Sequence, residues 1–348
     1  MASPIHLPTA MRALQWRSVA GGIEENLNVN NRTDLPKGAH SLPKGQTLVK
    51  VAYVSLNHLD YKVAEMPLGS MLFKKPATPG LDFSGTVIDT TLANLKPGQC
   101  VFGRTESPSC GTLAEFVVVG MTGIAPVPAG VSLKDASCVG ICGVTALQSL
   151  VPFLKQGSSI MINGGSGGVG VFAIQIAKLL GCTKITVVCS EQNADLCRRL
   201  GADDTIDYRS EDPPTVLERN GHHYDHILDI VFADPSLYWC CHHYLKPGGT
   251  YVSVGLPPTI KTLRTLLAIH LLPRFLGGGQ RAFRFHSVTA SPEHFTEVAR
   301  WIAEGSVKPV VEEELDFEDA GKAYGRLKSQ RTVGKLVIIV SGELDCSR

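Results

Sequence analysis

The sequence predicts an α/β protein of two domains. One is a compact, mostly β domain assembled from both ends of the chain, and the other is a doubly wound parallel-sheet domain inserted into it. Three observations carry this expectation. Residues 11–125 read as short strands punctuated by Gly and Pro, strand and helix patterns alternate from about 130 onward, and INGGSGGVGVFAIQIAKLLG at 162–181 joins a strand to a helix through glycines. At 348 residues the chain is long enough for two cores of ordinary size.

The β-rich part is read from MRALQW, TLVKVAYVSL, FSGTVID, CVFG and LAEFVVV, each short and rich in strand formers. The alternating part runs SIMIN, helix, KITVVC, helix with ADLCRRLGA, TIDY, HILDIV, helix, TYVSVG. Such alternation implies parallel strands covered by helices. A Ser-Pro-Glu start signal then opens a helix at SPEHFTEVARWIAEG, and GKLVIIV at 334–340 closes the chain as a strand. The expected boundaries are 1–130, completed by 290–348, for the β-rich domain and 131–289 for the inserted one.

The inserted domain carries the chemical signal. Gly164, Gly167 and Gly170 fall in a G-x-x-G-x-x-G register between a buried strand and an apolar helix marked by Val171, Ile174, Ile176, Ala177 and Leu180. The first glycine permits the tight turn, the second lets a pyrophosphate approach the backbone, and the third lets helix pack on strand. Unpaired N–H groups at the helix start then face an anion. This is a variant dinucleotide-binding fingerprint.

A net charge of +1 gives no reason to invoke nucleic acid or an acidic membrane surface. MASPIHLPTAMRALQW has neither the pattern of a secretory leader nor that of a mitochondrial one, so a cytoplasmic protein is expected. LLAIHLLPRFL at 266–276 is too short to span a bilayer and reads as a helix packed against its own protein, rather than one touching lipid or a hydrophobic substrate. The ten cysteines read as reduced thiols. CCHHY at 240–244 and HHYDH at 222–226 supply metal-binding side chains without zinc-like spacing, so no metal is expected there.

Taken together, VSLNHLDYK (54–62), TPGLDFSGTV (78–87), GTLAEFVVV (111–119), PAGVSLKDAS (128–137), GVTAL (143–147), the glycine loop, LGADDTIDY (200–208), YDHILDIV (224–231), LKPGGTYVSVG (245–255) and GKLVIIV resemble the medium-chain dehydrogenase/reductase superfamily. The match runs from about Met11 to Val340. It implies a GroES-like catalytic domain, a Rossmann domain and NAD(P)H-dependent hydride transfer. In the superfamily's zinc branch a Cys sits near the position of Asn57, and Gly-His-Glu stands where this chain has Gly80, Leu81 and Asp82. Neither Asn nor Leu replaces a thiolate or imidazole as a zinc ligand. Only Cys100 and Cys110 lie where a four-cysteine structural zinc lobe would be. The chain therefore resembles the zinc-free quinone oxidoreductase and trans-enoyl reductase branch, with LNHLDYK similar to its N-x-x-D-x-K segment.

That resemblance implies a conjugated C=C bond or a quinone as hydride acceptor, hence a small hydrophobic enone, enoyl thioester or quinone as substrate. A non-reductive ligand-binding or cyclisation role on a retained reductase fold is the alternative. By resemblance, Thr145 contacts the nicotinamide or its ribose and Asn57 lines the ring. Lys62 is either a cation near cofactor or substrate or half of a structural ion pair with Asp60 at a strand end. Tyr61 is either a proton donor or a packing residue. The cofactor is expected to contact Gly164, Ser166, Gly167, Gly168, Val169, Gly170, Ser190, Asn193, Tyr208, Ser253, Gly255 and Lys335. NADPH is expected over NADH because Ser190, about 20 residues past the loop, stands where an NAD-binding site carries an Asp or Glu. Glu191 is expected to point to solvent, with Arg209 or Lys335 supplying positive charge. The branch allows a monomer or a homodimer through the Rossmann sheet edge, with no transmembrane segment.

Overall fold

The computed structural model describes residues 7–108, 111–256 and 259–342. The first six residues read for a leader, and Cys110, lie outside these. The chain divides into two compact units, the first ending at Val144 and resuming at Ala290, the second being Thr145–Thr289.

The first unit begins with β1 (Met11–Gln15) and β2 (Asn28–Thr33), an antiparallel pair, and the long β3 (Gln46–Ser55). Helix α1 (His58–Glu65) follows, then β4 (Asp82–Thr90), β5 (Cys100–Arg104), β6 (Phe116–Gly120), β7 (Ile124–Pro126) and α2 (Leu133–Ser137). A single π turn at Val139–Gly143 leads to α3 (Val144–Leu150). The first division falls later than the expected 130/131 because α2 and the π turn pack on β3, β4 and β5.

The second unit alternates β8 (Ser159–Asn163), α4 (Gly168–Leu179), β9 (Lys184–Cys189), α5 (Glu191–Leu200), β10 (Asp204–Asp207), α6 (Pro213–Arg219), β11 (Tyr224–Asp229), α7 (Ser236–Trp239), β12 (Leu245–Ser253), α8 (Ile260–Leu271) and β13 (Ala282–Phe285). Its six strands are all parallel, in the order β10-β9-β8-β11-β12-β13. Chain order reverses between β8 and β11, the place where doubly wound sheets open a crevice for ligands. Val171, Ile174, Ile176 and Ala177 are all buried, as the helical pattern of the glycine segment requires.

The chain then returns to the first unit with α9 (Pro292–Ala303), β14 (Val311–Asp316), α10 (Ala320–Lys328) and β15 (Lys335–Ile339). Ser291 caps α9, accepting from His294 N at 3.3 Å, with Pro292 in the first turn. The sheet of this unit runs β14-β15-β3-β4-β5-β7, with β6 added to β3. Its core gathers Trp16, Val51, Val54, Phe83, Leu113, Phe317, Tyr324 and Ile338. The α/β class, with a β-rich unit made from both chain ends, is as read from the sequence.

Three expectations are corrected. Asp60–Lys62 lie on helix α1, not at a strand end, because Asp60 Oδ2 accepts from Asn57 N at 2.8 Å and closes a capping box. The 266–276 segment packs its large apolar side chains on its own protein only through Leu266 and Ile269, and leaves Leu267, Leu271, Leu272, Phe275 and Leu276 exposed. Cys100 is disulfide-bonded, although Cys138, Cys142, Cys182, Cys189, Cys197, Cys240 and Cys241 are free.

Candidate functional site

Each unit concentrates polar groups at one place. In the first unit that place is the end of β3. Strand β15 pairs antiparallel with β3, Val337 opposite Ser55, and Leu56 N donates to Leu336 O at 2.9 Å. This register carries Lys335, the first residue of β15, to the residues that follow β3. Its Nζ donates to Asn57 Oδ1 at 2.6 Å and to Leu56 O at 2.9 Å, and lies 3.4 Å from Cys142 Sγ and 3.7 Å from Asp82 Oδ2. The Lys335 and Asp82 side chains are 1% and 0% exposed. Asn57 Nδ2 donates to Asp82 Oδ2 at 2.9 Å and to Ser55 O at 3.1 Å, so its amide is held on both sides. Ser55 Oγ adds a bond to Asp82 Oδ2 at 3.2 Å. The π turn closes over the carboxylate: a Cβ on Gly140 would fall 2.4 Å from Asp82 Oδ1 and 2.8 Å from Gly103 O.

The electrostatics follow from burial. Burial alone would lower the Lys335 pKa, but Cys142, Asp82, Cys138 and Asp60 outweigh it, and the ammonium stays charged. Burial pushes Asp82 up, with Lys335 and the Asn57 amide holding it back. Burial and the nearby Asp82 raise Asp60 to about 7, against the lowering effect of its hydrogen bonds from Asn57 N and, at 3.2 Å, Tyr324 OH. The cluster therefore holds one fixed cation against two carboxyls, the second of which titrates near neutrality.

That titration has a sign. Asp60 is near 3.8 in an open chain and about 7 when folded, so between those values the native state holds a proton that the unfolded state has released. The contribution of this group to stability is full below about pH 4 and lost as pH rises through about 7. Unfolding free energy measured against pH should fall across this window, with a slope of at most about 1.4 kcal/mol per pH unit from this group. Asp60→Asn should flatten that part of the curve. A wild-type curve with the same slope as the variant would place the proton elsewhere.

Tyr61 and Lys62 take separate surroundings. Tyr61 is buried, its hydroxyl 2.6 Å from His58 Nδ1, its ring edge-on to Tyr324 and 5.0 Å from the Lys328 ammonium. Burial, Glu65 and Glu24 raise its pKa, so its proton is held more tightly than in water. His58, which the sequence reading did not single out, is pulled down to about 4 by burial and by Lys62 and Lys335, and is neutral at pH 7. Lys62 is exposed, with partial desolvation lowering its pKa. Among the described residues it makes no ion pair with Asp60.

The second unit's place is the strand ends around β8. Gly164 has φ +90 and lies where a Cβ would come 2.7 Å from Val231 Cγ2. Gly167 is the N-cap of α4 at φ −79, ψ 175, and no side chain caps the helix. A Cβ there would meet nothing nearer than Gly164 O at 3.5 Å, whereas one on Gly170 would come within 2.3 Å of Gly164 O and 2.5 Å of Gly165 O. Gly170 is therefore needed for packing, and Gly167 faces open space beside the first N–H groups of α4, which Gly168, Val169 and Gly170 supply. Thr145, on α3, is buried, and its carbonyl accepts from Ser149 Oγ at 2.6 Å. Beside the loop, Asp229 accepts from Asn163 Nδ2 at 2.8 Å, Phe232 N at 2.9 Å and Tyr251 OH at 2.5 Å, and holds Phe232 at φ +44.

At the end of β9, Ser190 is buried and leads into α5 with its hydroxyl uncommitted to capping. Asn193 Nδ2 donates to Ser166 Oγ at 3.1 Å, tying α5 to the glycine loop. Tyr208 is exposed with the Arg209 guanidinium 5.8 Å from its ring, and Glu191 is exposed. Asp207, not anticipated from the sequence, ends β10 opposite Cys189 and accepts from Arg209 N at 3.1 Å. The Arg209 and Glu191 N–H groups keep its carboxyl below the ordinary value. Ser253 is buried at the end of β12 with no partner for Oγ among the described residues. A Cβ on Gly255 would come 2.3 Å from Ile230 O, so that glycine serves close packing. Lys335 is corrected: its ammonium is spent inside the first unit on Asn57, Leu56 and Cys142 and is not free to meet a 2′-phosphate.

Two family models match parts of the chain. Residues 43–129 match the alcohol dehydrogenase GroES-like domain and residues 200–338 the zinc-binding dehydrogenase domain. A trans-enoyl reductase of Aspergillus terreus is 41% identical, the alignment covering 97% of this chain and 98% of that protein. The chain belongs to the medium-chain dehydrogenase/reductase superfamily, in its zinc-free quinone oxidoreductase and trans-enoyl reductase branch. A zinc-type alcohol dehydrogenase-like protein of Schizosaccharomyces pombe is 33% identical over 88% of this chain and 94% of its own. The structure of the quinone oxidoreductase from Coxiella burnetii superposes with a TM-score of 0.81 at 25% identity, over 95% of this chain and 99% of that one.

Members of this superfamily are oxidoreductases that bind a nicotinamide cofactor. The second unit fits that group: an open cradle at Gly167, an uncapped helix N-terminus and an orphaned buried hydroxyl at Ser253 lie at the strand ends. The first unit does not fit the zinc implied by the matched domain's description. Asn57, Leu81 and Asp82 stand at the ligand positions, and the Lys335 ammonium lies between the first and the last of these. Among the described residues no group of three or more His, Cys, Asp or Glu side chains is arranged to hold a metal ion.

Proposed function

We propose that this reductase uses NADPH to reduce a conjugated C=C bond or a quinone, without zinc. One observation carries the reading: where a zinc dehydrogenase has its metal ligands, this chain has an Asn57 amide and an Asp82 carboxylate bound to the buried Lys335 ammonium. With no Lewis acid to polarise an isolated carbonyl or stabilise an alkoxide, the acceptor must be activated by its own conjugation. The bound cofactor supplies the hydride. The protein aligns ring and acceptor, excludes water and steadies the charge that develops on the acceptor oxygen. Asn57, fixed through both ends of its amide, serves as a rigid wall for the ring. Thr145 provides a hydroxyl for the nicotinamide or its ribose. Lys62 is an exposed cation that makes no ion pair among the described residues and is suited to the acceptor oxygen. Tyr61 serves packing, since its raised pKa makes it a poor acid. Ser190, Asn193, Tyr208 and Arg209 hold the 2′-phosphate, while the Asp207 carboxylate next to them limits the preference for it.

Steady-state rates on an enone, a quinone and a simple secondary alcohol, with each cofactor and with a chelator, test this. Turnover of the enone or quinone is expected, with kcat/KM for NADPH about tenfold above NADH, a difference of about 1.4 kcal/mol. Chelation should leave the rate unchanged, and the alcohol should not be oxidised. Chelator-sensitive alcohol oxidation would overturn the zinc-independent reading, and equal use of NADH would assign the ribose to Asp207 or Glu191. Cofactor binding without turnover of any acceptor would favour a non-reductive role.

A further inference from the structure

We propose that α8 and the turn after it form a docking surface for the face of an anionic lipid bilayer, lying in the interface and not crossing it. The helix is apolar on both sides. Thr259 caps it, accepting from Thr262 N at 3.1 Å, and it turns Thr262, Thr265, Leu266 and Ile269 toward the core of the second unit. Four further large apolar side chains, Ile260, Leu263, Leu267 and Leu271, recur at helical spacing on the solvent side. A helix that packs only on its own protein keeps its solvent side polar. The stripe continues past the helix: every residue from Leu271 to Gly277 is exposed, including Leu272, Leu276 and Phe275, the last of these at 85%. Contiguous apolar surface of this kind marks a site of interaction.

Charge selects the occupant. Between Asp234 and Glu293 the sequence has no acidic residue, yet it carries Lys246, Lys261, Arg264, Arg274, Arg281 and Arg284. Arg281 is committed to the Leu245 and His242 carbonyls, and Arg284 lies over the Phe153 ring. Lys261 sits at the rim, 3.5 Å from the exposed Asp234. Arg264 and Arg274 are exposed beside the leucine stripe and form no ion pair among the described residues. A second copy of the same face would oppose these cations with identical ones. An anionic bilayer answers both features, accepting the exposed apolar stripe among its acyl chains and the flanking cations among its headgroups. At 12 residues the helix is about 18 Å long, too short to cross a bilayer.

Co-sedimentation of the full chain with vesicles of phosphatidylcholine alone, or with added phosphatidylserine, tests the proposal. The protein should pellet with the anionic vesicles, about tenfold more weakly with neutral ones, and less at high salt. Leu267→Ser combined with Leu271→Ser and Phe275→Ser should abolish pelleting, as should Arg264→Glu with Arg274→Glu. Both variants should keep the wild-type unfolding midpoint and cofactor affinity, since these side chains are exposed. Wild-type protein that stays in the supernatant would overturn the proposal, and loss of self-association in the leucine variant would then assign the face to a second copy. Pelleting that survives the apolar substitutions would overturn it equally.

Discussion

Replacing Lys335 by methionine is expected to lower the unfolding free energy by about 3–5 kcal/mol, because it removes one partner of a wholly buried ion pair and leaves the other. Methionine matches the length of the lysine stem, so packing changes little. The loss falls on Asp82, 0% exposed and stripped of the only ammonium that the described residues bring near it, and on Asn57 Oδ1 and Leu56 O, which lose their donor. Asp82 would then favour its protonated form. Lys335→Met combined with Asp82→Asn should recover part of the loss, since a neutral amide needs no counter-ion. Denaturant unfolding of the single and double variants checks this. Equal instability of the two would mean that the lysine stabilises through its carbonyl and amide bonds and not through charge.

Gly167→Val should weaken binding of the dinucleotide at least about a hundredfold while leaving the fold intact. The backbone at this position is extended, at φ −79 and ψ 175, and therefore accepts a β-branched side chain. The new Cβ would meet Gly164 O at an ordinary 3.5 Å, with the rest of the side chain in the space the pyrophosphate needs. Gly170→Val serves as the contrast. Its Cβ would fall inside the contact distance of two backbone carbonyl oxygens, at 2.3 Å and 2.5 Å, so this variant should unfold. Titration calorimetry with thermal melts separates the two losses. Unchanged cofactor affinity in Gly167→Val would remove the glycine loop from the binding site.

The parts legible in the sequence are those whose cause is local. The glycine register, the strand before it and the helix after it are specified by residues a few positions apart, and the structure reproduces them. Asn57 and Leu81 could be excluded as zinc ligands from residue type alone. The helical state of Asp60–Lys62 was also local, an Asn three residues before an Asp, but the preceding apolar run made these residues read as a strand end.

What only the tertiary structure decided are contacts between residues far apart in the chain, and exposure. Lys335 reaches Asn57, 278 positions away, because β15 pairs antiparallel with β3 in one register. Shifting that pairing by one residue would turn the lysine to the opposite face of the sheet. Asp207 comes beside Cys189, next to Ser190, only because β10 lies beside β9. For α8, the sequence shows an apolar stripe but not which side of it meets protein. Whole-chain net charge of +1 also averages away the acid-free stretch after Asp234. Composition and periodicity determine which segments can be buried or bind an anion. Which of them are buried, and against which charge, depends on strand pairing across hundreds of residues, a choice set by the packing energy of the whole core and by no single segment.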